Sequence, residues 1–117
     1  MTEQTRLYKI LSPTDWQTSQ ALGYTKTALD DADGYVHLSN RAQVEETLHL
    51  HYAGVAEVQL LEFLGESLEG RLVWEESRGG QQFPHLYDTL YLRQTHRQWT
   101  LEQDSEGYPC LPKTIDL

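Results

Sequence analysis

Short apolar runs separated by polar, turn-forming stretches divide this chain into elements, and the period of each run indicates its kind. Residues 7–11 (LYKIL) are apolar and aromatic enough for a strand. Ser12-Pro13-Thr14-Asp15 then reads as a helix start. Ser12 can cap, Pro13 suits the first helical position, and Asp15 places negative charge at the positive end of the helix dipole. That helix is predicted over about residues 13–22 and ends at Gly23, a residue that tolerates a left-handed cap. Residues 25–34 gather Asp30, Asp31, Asp33 and Gly34 with little apolar periodicity, and read as a loop. A short strand follows at 35–38. Ser39-Asn40 opens a second helix on which Ala42, Val44, Leu48 and Tyr52 recur near helical spacing, and Gly54 ends it.

Residues 55–63 (VAEVQLLEF) alternate and are rich in β-formers, as a central strand requires, and 71–75 (RLVWE) reads as another. GESLEG between them has the composition of a turn or of a single helical turn. Residues 77–84, with Gly79-Gly80 and Pro84, are predicted to be a loop. Aromatic and aliphatic alternation resumes at 85–92 (HLYDTLYL), and 98–102 (QWTLE) reads as a last strand. Two helices on five or six short strands predict one α+β domain with a core over about 7–102 and an extended tail over 103–117.

Composition narrows the function classes. The chain has 117 residues, enough for one modest core, and its 9 basic against 18 acidic residues give a net charge of −9. That charge opposes phosphate backbones and anionic lipid, so neither nucleic acid nor membrane is an expected partner. Cys110 is the single cysteine, no apolar run approaches a membrane span, and the first residues lack the pattern of a signal peptide. A cytoplasmic protein is expected.

Candidate chemistry concentrates in two stretches. In DGYVHLS (33–39), strand alternation places Tyr35, His37 and Ser39 on one face, either as a solvated surface or as a wall that hydrogen-bonds a polar ligand. In WEESRGGQQFPHLY (74–87), Arg78 precedes a glycine pair that lets backbone N–H groups approach an anion; a tight turn with a solvated arginine is the plainer alternative. Alternation there sets Trp74 with Glu76, and Glu75 with Val73 and Ser77, so Glu75 is expected to be the more buried carboxylate, partnered by Arg78 or His85. His49 and His51 fall on different helix faces and no metal motif occurs, so no metal is expected. Arg93, His96 and Arg97 read as a solvated basic turn. Signatures of serine hydrolases, P-loop enzymes and Rossmann dehydrogenases are missing.

Taken together, LYKIL, Trp16, DGYVHLS, HYAG and above all WEESRGGQQFPHLYDTLYL resemble the DUF952 family of small, mostly bacterial proteins of unknown function, over roughly residues 7–99. Glu76 stands where other members often have proline, and Asp88-Thr89 where Gly-Pro is common. The resemblance implies an ADP-ribosyltransferase-like fold, a split, mostly antiparallel sheet flanked by helices, whose cleft in its enzymes holds NAD. Carried onto this chain, it implies Glu75, His85 and His37 as catalytic candidates. Arg78, Ser39, Ser77, Tyr35, Tyr87, Trp74 and Phe83 would then contact NAD or a related nucleotide, with Arg78 on the pyrophosphate. Two other classes stay open: a peptide-docking module using Trp74, Phe83 and Tyr87, and a metal-dependent hydrolase using the histidines.

Overall fold

In the computed structural model, which describes residues 5–68 and 70–111, with the side chain of Arg78 outside the described part, seven strands form two antiparallel sheets. The four-stranded sheet has the order β3 (Ser39–Asn40), β1 (Arg6–Leu11), β4 (Glu57–Leu64), β7 (Arg97–Glu102). The three-stranded sheet has the order β2 (Val36–His37), β6 (Gln82–Leu86), β5 (Leu72–Glu76). With α1 (Pro13–Leu22), α2 (Ala28–Asp33) and α3 (Val44–His51) this is an α+β domain.

Strand β1 is buried from Leu7 to Leu11 because both its faces are covered, and Lys9 is the one charged side chain within that buried run. One face packs Leu7 and Leu11 against Leu61 and Phe63 of β4 and against Val36 and Leu86 of the smaller sheet. The other packs Tyr8 and Ile10 against Val44 and Leu48 of α3. The polar partners of these faces come from far along the chain. Glu62 is fully buried; Tyr8 donates to it at 2.7 Å, and Arg97 holds it through two bonds of 2.7 and 2.8 Å. Burial pushes the Glu62 carboxyl up, but Arg97 and Tyr8 outweigh burial and hold it below the usual carboxylate value.

Local capping explains the helix ends. Ser12 Oγ accepts from the Asp15 N–H at 3.1 Å, and Gly23 closes α1 at φ 85° with its N–H on the Ser19 carbonyl. Asn40 and Gln43 form a reciprocal capping box before a 3₁₀ turn at Arg41–Gln43 that leads into α3. GESLEG contributes a 3₁₀ turn at Gly65–Leu68. Among the described residues no helix is long and apolar enough to cross a membrane.

Several sequence expectations are corrected. The stretch 25–34 is not all loop: α2 occupies Ala28–Asp33, capped by Thr27 and ended by Gly34 at φ 82°. Its buried side chain, Asp30, packs on an ion pair rather than on apolar residues, so no apolar period announces the helix. The strand at 35–38 is shorter, because the chain passes from one sheet to the other at Leu38. The loop at 77–84 gives way to β6 at Gln82, which carries Pro84; β2 ends at His37 beside it, and the Pro84 carbonyl accepts from Leu38 at 3.1 Å. The strand at 85–92 stops at Leu86. The chain then leaves the sheet through Asp88, whose carboxylate accepts from the Thr89 N–H, to a 3₁₀ turn at Leu92–Gln94. Arg97 is no solvated turn residue but the partner of Glu62.

Candidate functional site

Antiparallel register sets His37 of β2 directly opposite His85 of β6, with ring centroids 5.5 Å apart. Tyr35 lies against both imidazoles, 4.6 Å from His37 and stacked on His85 at 4.1 Å, and Tyr87 sits 5.1 Å from Tyr35. The two stretches singled out in the sequence therefore meet, side by side in one sheet.

Each histidine is backed by carboxylate. Glu75 Oε1 lies 2.8 Å from His85 Nδ1 and accepts from the Tyr87 hydroxyl at 2.7 Å. The Tyr87 and His85 bonds hold the Glu75 carboxyl below its usual value, and the same bond to Glu75 pushes the Tyr87 hydroxyl up to about 12. Glu75 is more buried than Glu76, but its side chain remains 39% exposed. It is a carboxylate at a rim, positioned by neighbours rather than by burial.

His37 has two such partners. Its Nδ1 lies 2.6 Å from Asp30 Oδ1 and its Nε2 2.9 Å from Asp33 Oδ2. Asp30 also accepts from the His37 backbone N–H at 3.1 Å and from Lys9 Nζ at 2.8 Å, while Lys9 donates to the His37 carbonyl at 3.1 Å. Burial pushes the Asp30 carboxyl up, yet the bonds from His37 and Lys9 prevail and hold it low. On Lys9 burial prevails over Asp30, and its ammonium is pushed down from the usual 10.5. This Lys9–Asp30–His37 chain ties β1, α2 and β2 together.

A cavity of about 680 Å³ opens beside the pair, bounded by β1, α2, α3, the β2–β3 passage and β6, a size typical of small-molecule sites. Of the residues named from sequence, His37, Ser39, Ser77, Phe83 and His85 line it. Tyr35 and Tyr87 line a second cavity of about 420 Å³. Glu75 and Trp74 line neither; Glu75 reaches the first cavity through His85, and Trp74 is 38% exposed. Ser39 belongs to the other sheet from His37, its hydroxyl 3.3 Å from that of Thr47. The side chain of Arg78 lies outside the described residues, but Gly79 (φ 65°) and Gly80 (φ 77°) are both left-handed, so the tight turn itself accounts for the glycine pair.

Lys9, Asp30, Thr47 and Tyr52 also line the cavity although the sequence pattern marked none of them as a site residue, and His51, considered from sequence as a metal ligand alone, lines it too. Lys9 carried a usable signal. In LYKIL it shares a strand face with Leu7 and Leu11, and a lysine on an apolar face needs a buried anion. Asp30 carried none, since its partners lie 7 and 21 residues away. Among the described residues no cluster of histidine, cysteine and carboxylate groups is arranged to hold a metal ion. His49 instead stacks on Tyr108 at 4.4 Å.

Residues 10–97 match the profile of a family described as Protein of unknown function (DUF952). No curated protein matches the chain. The X-ray crystal structure of protein CC0527 from Caulobacter crescentus is similar, with a TM-score of 0.85 and 41% identity, covering 91% of this chain and 94% of that one. The solution NMR structure of CC0527 has a TM-score of 0.78 and 41% identity, covering 89% and 90%.

Proposed function

The chain belongs to the DUF952 family of proteins of unknown function, and from that premise we propose that its larger cavity binds NAD or a related nucleotide, in an architecture like that of the ADP-ribosyltransferases. The observation that carries this reading is the cross-strand pair His37–His85, backed by Asp30, Asp33 and Glu75 and set against the 680 Å³ cavity. The His85 imidazole beside hydroxyls of Ser39, Thr47 and Ser77 supplies the directional contacts a ribose needs, and Phe83 and Tyr52 supply flat apolar surface for a ring. Two antiparallel sheets packed face to face, with α3 on the far face of the larger one, support the architectural comparison. The same pairings favour a ligand site over the peptide-docking alternative: Phe83 is 7% exposed and Tyr87 is engaged with Glu75, which leaves Trp74 as the exposed aromatic of that trio.

Transfer of ADP-ribose would need a carboxylate to stabilise the cationic ribosyl centre formed as nicotinamide leaves. Glu75 would act there through His85 rather than by contact, because it lies behind the imidazole. Phosphate recognition would fall to Arg78 and the backbone of the Gly79-Gly80 turn, since Lys9 is committed to Asp30.

Isothermal titration of the purified protein with NAD and with ADP-ribose tests the proposal. Saturable heat is expected with at least one, and His85→Ala or Phe83→Ala should weaken it about tenfold, equivalent to about 1.4 kcal/mol. Absence of heat from both ligands at millimolar concentration would refute it.

A further inference from the structure

The hydrogen-bond geometry points to a fixed division of labour between the two histidines: His37 is a two-sided donor that transfers no proton, and His85 takes a proton from a guest hydroxyl at its Nε2. This deepens the nucleotide-site reading above and rests on it for the identity of the guest.

An ionised carboxylate only accepts hydrogen bonds, so any ring nitrogen held against one must carry hydrogen. For His37 this applies at both positions, Nδ1 to Asp30 at 2.6 Å and Nε2 to Asp33 at 2.9 Å. Asp30 is kept ionised by donors other than the ring, Lys9 and the His37 backbone N–H. A ring with hydrogen on both nitrogens is a cation with no lone pair to offer. Both N–H groups of His37 are taken by Asp30 and Asp33, so it cannot act as a base.

His85 is held differently. Glu75, from β5, accepts at Nδ1, and the Tyr87 hydroxyl bonds that same Glu75 oxygen, so the carboxylate is fixed from two sides. Tyr35 stacks on the ring face at 4.1 Å and His37 stands at its edge. With hydrogen fixed at Nδ1, the lone pair of the neutral ring lies on Nε2, and no described residue bonds that atom. His85 is 4% exposed and lines the cavity, so a bound guest is what would reach it. A proton leaving a guest hydroxyl would pass to Nε2, and the imidazolium so formed keeps its Nδ1–H on Glu75, which balances the new charge. Glu75 is thus a positioning residue for His85, and Asp30 one for His37.

Long-range proton–nitrogen correlation NMR of the histidine rings in the uniformly labelled, ligand-free protein at neutral pH reads these states directly. Expected are hydrogen on both nitrogens of His37, and a neutral His85 with hydrogen on Nδ1. Glu75→Leu should move the His85 hydrogen to Nε2 as the dominant form, whereas Tyr87→Phe, which leaves the Glu75–His85 bond in place, should not. A neutral His37, or a wild-type His85 with its hydrogen on Nε2, would overturn the assignment. Nucleotide binding is measured separately by titration. Absence of nucleotide heat alongside the expected ring states would remove the nucleotide and keep both histidine roles for another hydroxyl-bearing guest.

Discussion

Replacing Asp30 by alanine should be among the most damaging single changes available in this chain. Asp30 is 7% exposed and binds Lys9, which is 4% exposed, so the substitution strands a buried ammonium and removes the acceptor of two His37 donors. Breaking a buried ion pair from one side costs about 3–5 kcal/mol. A domain of this length loses about 3–6 °C of melting temperature per kcal/mol, so the expected fall is about 9–30 °C. Thermal unfolding followed by circular dichroism, with urea midpoints as a check on two-state behaviour, measures it. The reasoning also predicts a rescue: in Lys9→Met/Asp30→Leu both charges are gone, and stability should return to within about 2 kcal/mol of the native protein. A further sign follows from Lys9, whose ammonium is pushed below 10.5. The folded state then holds fewer protons than the unfolded state just below that value, so stability rises with pH there, and the rise should be larger in Asp30→Ala. A loss under about 1 kcal/mol in Asp30→Ala, or a double variant no more stable than the single one, would refute the account.

The other buried carboxylate gives a parallel case. Arg97→Ala leaves Glu62, fully buried, with Tyr8 and the more distant Arg6 at 3.8 Å, and should cost about 3 kcal/mol by denaturant unfolding, with Arg97→Lys intermediate because it forfeits the two-pronged bond. Acid sensitivity follows from Asp30, Glu62 and Glu75, each held below its usual value of 3.8 or 4.5. Their stabilisation is complete above those values and is lost as pH falls through the lower folded values, so melting temperature should decline steeply below about pH 4, and less steeply in Glu62→Gln/Arg97→Met.

How much of the site was legible depended on the distance over which its parts communicate. DGYVHLS and WEESRGGQQFPHLY were readable as candidate walls because their residue types are those that bind polar ligands. That they could face one cleft was an expectation, but the way they meet was not readable, since it depends on β2 and β6 pairing in the one register that sets His37 against His85. A slip of one residue would turn every side chain to the other face. Glu75 shows the same limit. Alternation set it with Val73 and Ser77, both of which are exposed, and that it stands behind His85 was decided by the next strand.

The chain by itself determined what is local: the caps at Ser12, Gly23 and Asn40, the strand at β1, and the turn that Gly79 and Gly80 permit. These rest on hydrogen bonds and backbone preferences that act over three or four residues. Only the tertiary structure decided that α2 exists around a buried Asp30, that the chain changes sheets at Leu38, and that Arg97 serves Glu62. Lys9 and Asp30 are 21 residues apart and Glu62 and Arg97 are 35 apart. A charge is stable in a core only when its partner is delivered there, and delivery over such distances belongs to the assembled sheets, not to any local pattern.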